Sequence, residues 1–361
     1  MKPNRLSMAV RSIRTRLSTP VESRRKRLLL RILQFVGSAF VTLLLLVALT
    51  FIIGRMLPVD PVLSIVGPDA DHATYMRVKQ QLGLDKPLVE QFWQFIKRIL
   101  AGDFGTTLLT GRQVVDDIKR VFPATVELAT FTIILGAGFG IPLGIFAAVN
   151  RGRFADHIVR LIVLMGNSVP IFWTGLMGII VFYAKLGWVG GAGRVGLYYM
   201  DIVPTVTGFM LVDSLIAGDM EVFWNALNHI ILPACVLAYA STAYISRMSR
   251  SFMLEQLRQE YVIAARAKGV PRRAVVWRHA FKNIRVQLLT TVALSYGGML
   301  EGAVLTETVF AWPGFGQYLT NALLIGDMNV VVASTLLIGC IFITINLVSD
   351  ILYRVFDPRI S

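Results

Sequence analysis

Residues 35–54, FVGSAFVTLLLLVALTFIIG, form twenty consecutive positions without a charge. Coiled as a helix at about 1.5 Å per residue, such a run spans the roughly 30 Å hydrocarbon core of a bilayer. In lipid the backbone polar groups find no water, so the run has to satisfy them internally. Composition extends the constraint to the whole chain. Of 361 residues, 55% are apolar and 16% charged, against about 25% charged in soluble domains. That balance predicts an integral membrane protein. The first run reads as a retained anchor rather than a cleaved signal. It is too long for a signal h-region, and RMLPVDPV follows it instead of a small-x-small site.

Further apolar runs are expected to cross at about 124–149, 158–183, 229–246, 287–306 and 330–352. The fold class is therefore an all-α polytopic membrane protein with six transmembrane helices. Gly and Pro inside these runs, as in GAGFGIPLG and GNSVP, point to close helix packing, with Pro142 and Pro170 as candidate kinks.

The net charge of +14 is read as topology rather than nucleic-acid binding. Segments 1–34, 150–160, 247–285 and 353–361 carry 25 of the 36 Lys and Arg residues. Positive residues collect on cytoplasmic segments, so both termini are expected inside. The domain plan is a basic cytoplasmic tail (1–34), a first span (35–54) and a sizeable outside loop (55–122). A membrane core with five further spans follows (123–352) with a cytoplasmic segment at 250–285, then a short cytoplasmic end (353–361). The basic tail reads either as a disordered topology signal or as a strip lying on anionic lipid.

No phosphate-binding loop of the G-x-x-x-x-G-K-[ST] type occurs, nor a G-x-S-x-G or H-E-x-x-H motif. The reading is of a chain that is not an enzyme, with no catalytic residue, no metal site and no cofactor of its own. Cys235 and Cys340 lie in apolar runs and are expected to be buried and inert.

The segment EYVIAARAKGVPRRAVVWRHAFKNI, Glu260 to Ile284, is strongly basic and helix-forming between two apolar runs. Small residues recur with helical spacing, Gly269 suits a left-handed cap, and Pro271 stops the helix. By residue pattern alone it is either a docking helix or a solvated loop.

Outside, PLVEQFWQFIKRILAGDFG predicts an amphipathic helix with Leu88, Phe92, Phe95 and Ile99 on one face. It either packs on the bundle or offers a contact surface to a soluble protein. The segment 184–228 is glycine-rich and reads as a lid or scoop. ETVFAWPGFGQYL, with Trp312, Pro313 and Gly314 at its turn, reads as a packed loop or part of an outer gate. Glu127 and Glu301 lie inside apolar runs, where a carboxylate is costly. Each either faces the pathway or locks helices together.

EYVIAARAKGV followed by VWRHAFKN resembles the cytoplasmic signature of binding-protein-dependent ABC transporter permeases, in its dipeptide and oligopeptide subgroup. RMLPVDPV, LGLDKPLVEQFWQFIKRILAGDFGTTL, NSVPIFWTG, HIILPA, ETVFAWPGFGQYL and NLVSDILYRVFDPRI resemble the same subgroup in the same order, over about residues 30–361. Ile263 stands where the wider family has the Glu of its Glu-Ala-Ala triplet. The resemblance implies an ABC importer permease fold in a bacterial inner membrane. It makes the segment at Glu260, Tyr261, Ala264, Ala265, Ala267, Lys268 and Gly269 the coupling helix. It also implies a second, related permease subunit, two cytoplasmic ATPase subunits carrying ATP and Mg, a periplasmic or lipid-anchored substrate-binding protein, and no nucleic acid. Cargo stays open among peptides, nickel chelate, glutathione and sugar oligomers. A single-chain secondary transporter is the reading from another class. It requires inverted repeats and usually more spans.

Overall fold

The computed structural model describes residues 19–56, 61–67, 69–81 and 83–356. Most of the basic tail, and residues 357–361 of the C-terminal end, lie outside the described residues. The described chain is helical, with one isolated antiparallel bridge, Thr106 to Gln113. The long helices are α1 (Thr19–Met56), α5 (Val114–Val149), α9 (Met220–Gln256), α12 (Phe281–Val309) and α14 (Met328–Phe356). Between them come α2 (Pro61–Val66), α3 (His72–Gln81), α4 (Leu88–Leu100), α6 (Phe154–Ser168), α7 (Ile171–Gly178), α8 (Met210–Ala217), α10 (Glu260–Ala267), α11 (Arg272–Ala274) and α13 (Phe315–Ile325).

Four helices are long and apolar enough to cross a membrane, and two bent pairs bring the number to as many as six. The bends have sequence causes. The expected span 158–183 is a pair meeting at 95°. Val169 is extended, at φ −96° and ψ 129°, because a residue preceding proline is kept out of the helical region. Pro170 then caps α7, which runs on into a π-helical turn, Ile179–Lys185. The other pair, Arg272–Leu300 and Gly302–Val309, meets at 47°. Pro142, by contrast, sits inside an unbroken α5. Several expected ends were too short: α5 begins ten residues before 124, and α9 extends beyond 229–246 in both directions. Polar residues at those ends hid helix from a search for apolar runs.

The bundle is built around α5 against α9, its most extensive helix contact. Gly136, Gly140 and Gly144 repeat every four residues and put one glycine stripe on α5. A Cβ on Gly140 would sit 3.0 Å from Ile245 Cβ, and one on Gly144 would sit 2.6 Å from Ser249 Cβ. A Cβ on Gly136 would overlap Ser241 Oγ. Backbone therefore packs against α9 without side chains between. Helix α12 lies across both partners, α14 packs on α12, and α1 packs on α14. Only 11% of the apolar stretch of α1 is buried, so this helix is peripheral.

Two apolar clusters mark the two ends. Ala124, Leu128, Ile230, Ala234, Leu237, Ala303 and Trp312 close one. Ile145, Ala148, Met253, Val276, Ala280, Ile284 and Leu288 close the other. Helix α4 lies against α1 through Phe92 and Phe95, whose rings are 5.3 and 5.5 Å from Phe51. Leu88, expected on that packed face, is exposed, because it occupies the first, free turn. Cys235 and Cys340 are free thiols on exposed helix surfaces, not buried ones. An apolar environment in lipid and burial in protein select the same residue types.

Gly144→Val should push α5 off α9, since already its Cβ would meet the Ser246 carbonyl and the Arg250 backbone nitrogen, which cannot rotate away. The expected cost is about 3 kcal/mol, read as loss of the monodisperse detergent-solubilised chain. Gly138→Ala, with open space at its Cβ, should behave as the parent. Equal behaviour of the two variants would contradict the packing described.

Candidate functional site

Helix α10 stands at one end of the bundle as a separate, capped unit. Gly269 has φ +78°, the left-handed conformation that disfavours a side chain. The Gly269 N–H donates to Arg266 O at 3.0 Å, and the Val270 N–H to Ala265 O at 3.2 Å. These are the paired closing bonds of a Schellman cap. Pro271 then sets the start of α11. The pattern of small residues with Gly269 and Pro271 was thus legible in the sequence as a cap and break.

Helix α9 ends at Gln256 and α10 starts at Glu260, so the two are separate helices. Residues 257–259 form a turn, and the Gln259 N–H donates to Gln256 O at 3.1 Å. Val262 and Ala265 point back into the chain and pack with Val275, Leu257 and Val270. Glu260, Tyr261, Ala264, Ala267, Lys268 and Gly269 are exposed. Ile263, in the position of the family's Glu, is exposed by 59%. The free surface of α10 is therefore the Tyr261, Ile263, Ala264 and Ala267 side, with Ala265 on the anchoring side.

Beneath α10 two sets of polar contacts tie the junctions. Asp156, 1% exposed, accepts from Arg250 Nε and Nη2, both at 2.9 Å, and from the Gly152 N–H at 3.1 Å. This bidentate pair ties the start of α6 to α9. Arg272 donates to the Val149 carbonyl and ties α11 to the end of α5.

The opposite end is organised by a carboxylate that the sequence reading passed over. Glu307 is fully buried. Its Oε1 accepts from the Thr125 hydroxyl at 2.5 Å, and Oε2 accepts from the N–H groups of Gly316 at 2.7 Å and Gln317 at 3.0 Å. Thr125 Oγ1 in turn accepts the Phe315 N–H at 2.7 Å. One side chain of α12 thereby holds α5 and the first turn of α13. Cβ atoms on Gly314 or Gly316 would come 2.5 and 2.9 Å from the carboxylate oxygens. The spacing of the acid to Gly314 and Gly316 within ETVFAWPGFGQYL was the available signal. Trp312 is buried, with its indole N–H donating to Ala124 O at 3.0 Å. Pro313 lies between Trp312 and the α13 cap at Gly314.

Glu127 joins this cluster. Its Oε2 pairs with Arg194, and its Oε1 accepts the Leu211 N–H at 2.8 Å. Arg194 also donates to Gly208 O at 2.9 Å and stands over the Trp312 ring at 5.8 Å. Glu127 thereby links the 184–218 segment to α5. Glu301 lies at the bend of α12, and its side chain is outside the described residues. Within the 184–218 segment, Asp213 accepts from the N–H groups of Thr207 and Gly208 at 2.8 and 2.9 Å and from the Thr207 hydroxyl at 2.7 Å. Burial pushes this carboxyl up, but these donors outweigh it and hold it below the usual carboxylate range. Its stabilising charge is present above the ordinary Asp pKa and is lost as pH falls through the lowered value. Among the described residues no group of three or more His, Cys, Asp or Glu is placed to hold a metal ion.

Residues 140–361 match the family model of the binding-protein-dependent transport system inner membrane component, and residues 27–129 match its N-terminal companion. The chain belongs to this family. Among related transport-system inner membrane components, it is 42% identical over 313 residues to the probable D,D-dipeptide transport system permease protein DdpB of Escherichia coli (strain K12), covering 87% of this chain and 92% of that one. It is equally identical to the di/tripeptide transport system permease protein DppB of Pseudomonas aeruginosa (strain UCBPP-PA14), over 86% of this chain and 93% of that one. The dipeptide transport system permease protein DppB of Escherichia coli (strain K12) is 38% identical, over 91% and 98%. A solved structure, the MetNI methionine ABC transporter in inward-facing conformations, matches at 17% identity with a TM-score of 0.48, over 65% of this chain and 93% of that one.

In this inner membrane component, Glu307→Ala should strand three buried donors and lower stability by about 3 kcal/mol or more, seen as a reduced Tm in detergent. Glu307→Gln, which keeps an acceptor, should lose less. An unchanged Tm for the alanine variant would remove Glu307 as the brace.

Proposed function

We propose that the chain is the membrane-spanning permease subunit of an ATP-driven, binding-protein-dependent importer of dipeptides or oligopeptides. The observation that carries this reading is the near-full-length similarity to permeases named for dipeptide and di/tripeptide transport. The chain forms half of the translocation pathway beside a second, related permease subunit. A periplasmic or lipid-anchored binding protein delivers cargo. Two cytoplasmic ATPase subunits bind ATP and Mg and supply the energy, in keeping with the absence of a phosphate-binding loop from this sequence.

Both termini are cytoplasmic in this reading, supported by the segregation of Lys and Arg. The α10 end is then the cytoplasmic end, and α10 is the coupling helix. Its exposed residues, Glu260, Tyr261, Ala264, Ala267, Lys268 and Gly269, together with Ile263, meet the ATPase. Ala265 supports the helix from behind. Trp312, Pro313 and Gly314 belong to the outer gate, whose shape Glu307 maintains. Glu127 acts on that gate through Arg194 rather than by touching cargo. Glu301 is the remaining candidate for the pathway, from the cost of a carboxylate facing lipid.

The test is uptake of a labelled dipeptide by vesicles holding the assembled complex, with nickel chelate and glutathione as alternative cargo. Ala264→Trp adds bulk to the free face of α10 without entering its anchoring cluster. It should reduce uptake more than tenfold and weaken ATPase co-purification while leaving membrane insertion intact. Exposed ion pairs are worth roughly 0–1 kcal/mol, so Lys268→Gln should be mild. Normal uptake and ATPase binding by Ala264→Trp would overturn α10 as the coupling helix. Uptake of glutathione or nickel chelate in place of dipeptide would overturn the cargo.

A further inference from the structure

The last turns of α5 and the π-helical turn Val275–Ala280 enclose a groove of about 700 Å³. Its apolar walls are Pro142, Leu143, Phe146, Val149, Val276 and Trp277. Phe146 and Trp277 are about half exposed, at 50% and 47%. Arg272 and Arg273 are the charged residues of the lining, which includes no carboxylate. Arg272 is committed to the Val149 carbonyl. Arg273 is exposed and forms no ion pair with a described residue.

We propose that this groove binds an anionic phospholipid, with its phosphate at Arg273 and an acyl chain along Phe146 and Trp277. The layout matches an amphiphile. The apolar wall belongs to a helix long and apolar enough to cross the membrane, and the guanidinium groups stand where α5 ends. Arginine suits a phosphate because its planar fork donates two parallel hydrogen bonds. Trp277, ring-packed on Phe281 at 5.4 Å, has the apolar body and polar N–H typical of residues at the lipid headgroup level. Basic pockets between membrane helices recognise such headgroups. Helix α10 contributes no residue to the groove, so this lipid and an ATPase on α10 bind without competing for the same side chains. A lipid wedged between α5 and α11 would brace the junction that carries α10. The inference rests on the reading that α5 and α12 cross the membrane, and not on the cargo.

The test uses the full chain in its assembled complex, reconstituted in bilayers of phosphatidylcholine or phosphatidylglycerol with brominated acyl chains. Bromine quenches tryptophan on contact, and the Trp277 signal is the difference between the parent and Trp277→Phe. Phosphatidylglycerol should compete for the Trp277 position about fivefold better than phosphatidylcholine, the preference one arginine near the surface supplies. Arg273→Gln should erase that preference while phosphatidylcholine still quenches, and Arg273→Lys should restore most of it. Equal quenching by the two lipids in the parent would overturn the proposal. So would a Trp277 shielded from both, as when a helix of the second permease subunit fills the groove. The readout needs neither cargo nor ATP, so a failure of the coupling reading leaves it intact.

Discussion

The contact on which the structure depends is the glycine stripe of α5 against α9. Apolar side chains gain little by leaving lipid for a helix surface, so association relies on close packing and hydrogen bonds. Gly136, Gly140 and Gly144 provide the close approach, and the Thr242 hydroxyl adds a bond to Gly136 O at 3.4 Å. With these two helices fixed over their length, α12 finds one surface made by both. Both end clusters draw residues from α5, α9 and the α12 region. The turn at Trp312 and α10 thus hang from one pair of helices.

The same device holds each end. A buried carboxylate gathers donors from distant parts of the chain: Asp156 at the α10 end, Glu307 and Glu127 at the other. Buried charges are tolerated only when so satisfied. Because breaking such a cluster leaves unpaired groups in a dry interior, each end should move as a block. Helix α10 is joined to its block through Val262, Ala265 and Val275 and through the Arg272 bond to Val149. Under the proposed coupling role, a push on its free face would pass to α5 and α12 by rigid-body motion.

Much of this was legible from residues alone. Uncharged length marks four clear spans and two more that are bent pairs, and the cap at Gly269 follows from glycine followed by proline. The glycines of GAGFGIPLG pointed to close packing, and the structure shows that Gly136, Gly140 and Gly144 carry it. Two kinds of information were hidden. Helix continuing past an apolar run is invisible to hydropathy, so α5 and α9 were drawn short. The use of a polar residue depends on partners far away in sequence: Thr125 and Glu307 are 182 positions apart, and Arg194 and Glu127 are 67 apart. That is why Glu127 stayed open between two roles and Glu307 went unmarked. Orientation within a short helix was also beyond reach. Ala264 and Ala265 are alike in sequence, and only the cluster at Val275 separates the free face from the anchored one.

The most direct measurement of the central claim is pulsed spin-label distance in the assembled complex, with and without ATP. One label pair joins Arg266, an exposed α10 residue outside the proposed ATPase contact, to Phe139 on α5 of the same chain. A second pair joins Arg266 to its counterpart on the proposed partner permease subunit. The account predicts an unchanged distance within the chain and a changed distance between subunits, because α10 travels with α5 and α9 as one body. A change within the chain at constant distance between subunits would contradict it, since α10 would then be yielding as a loop.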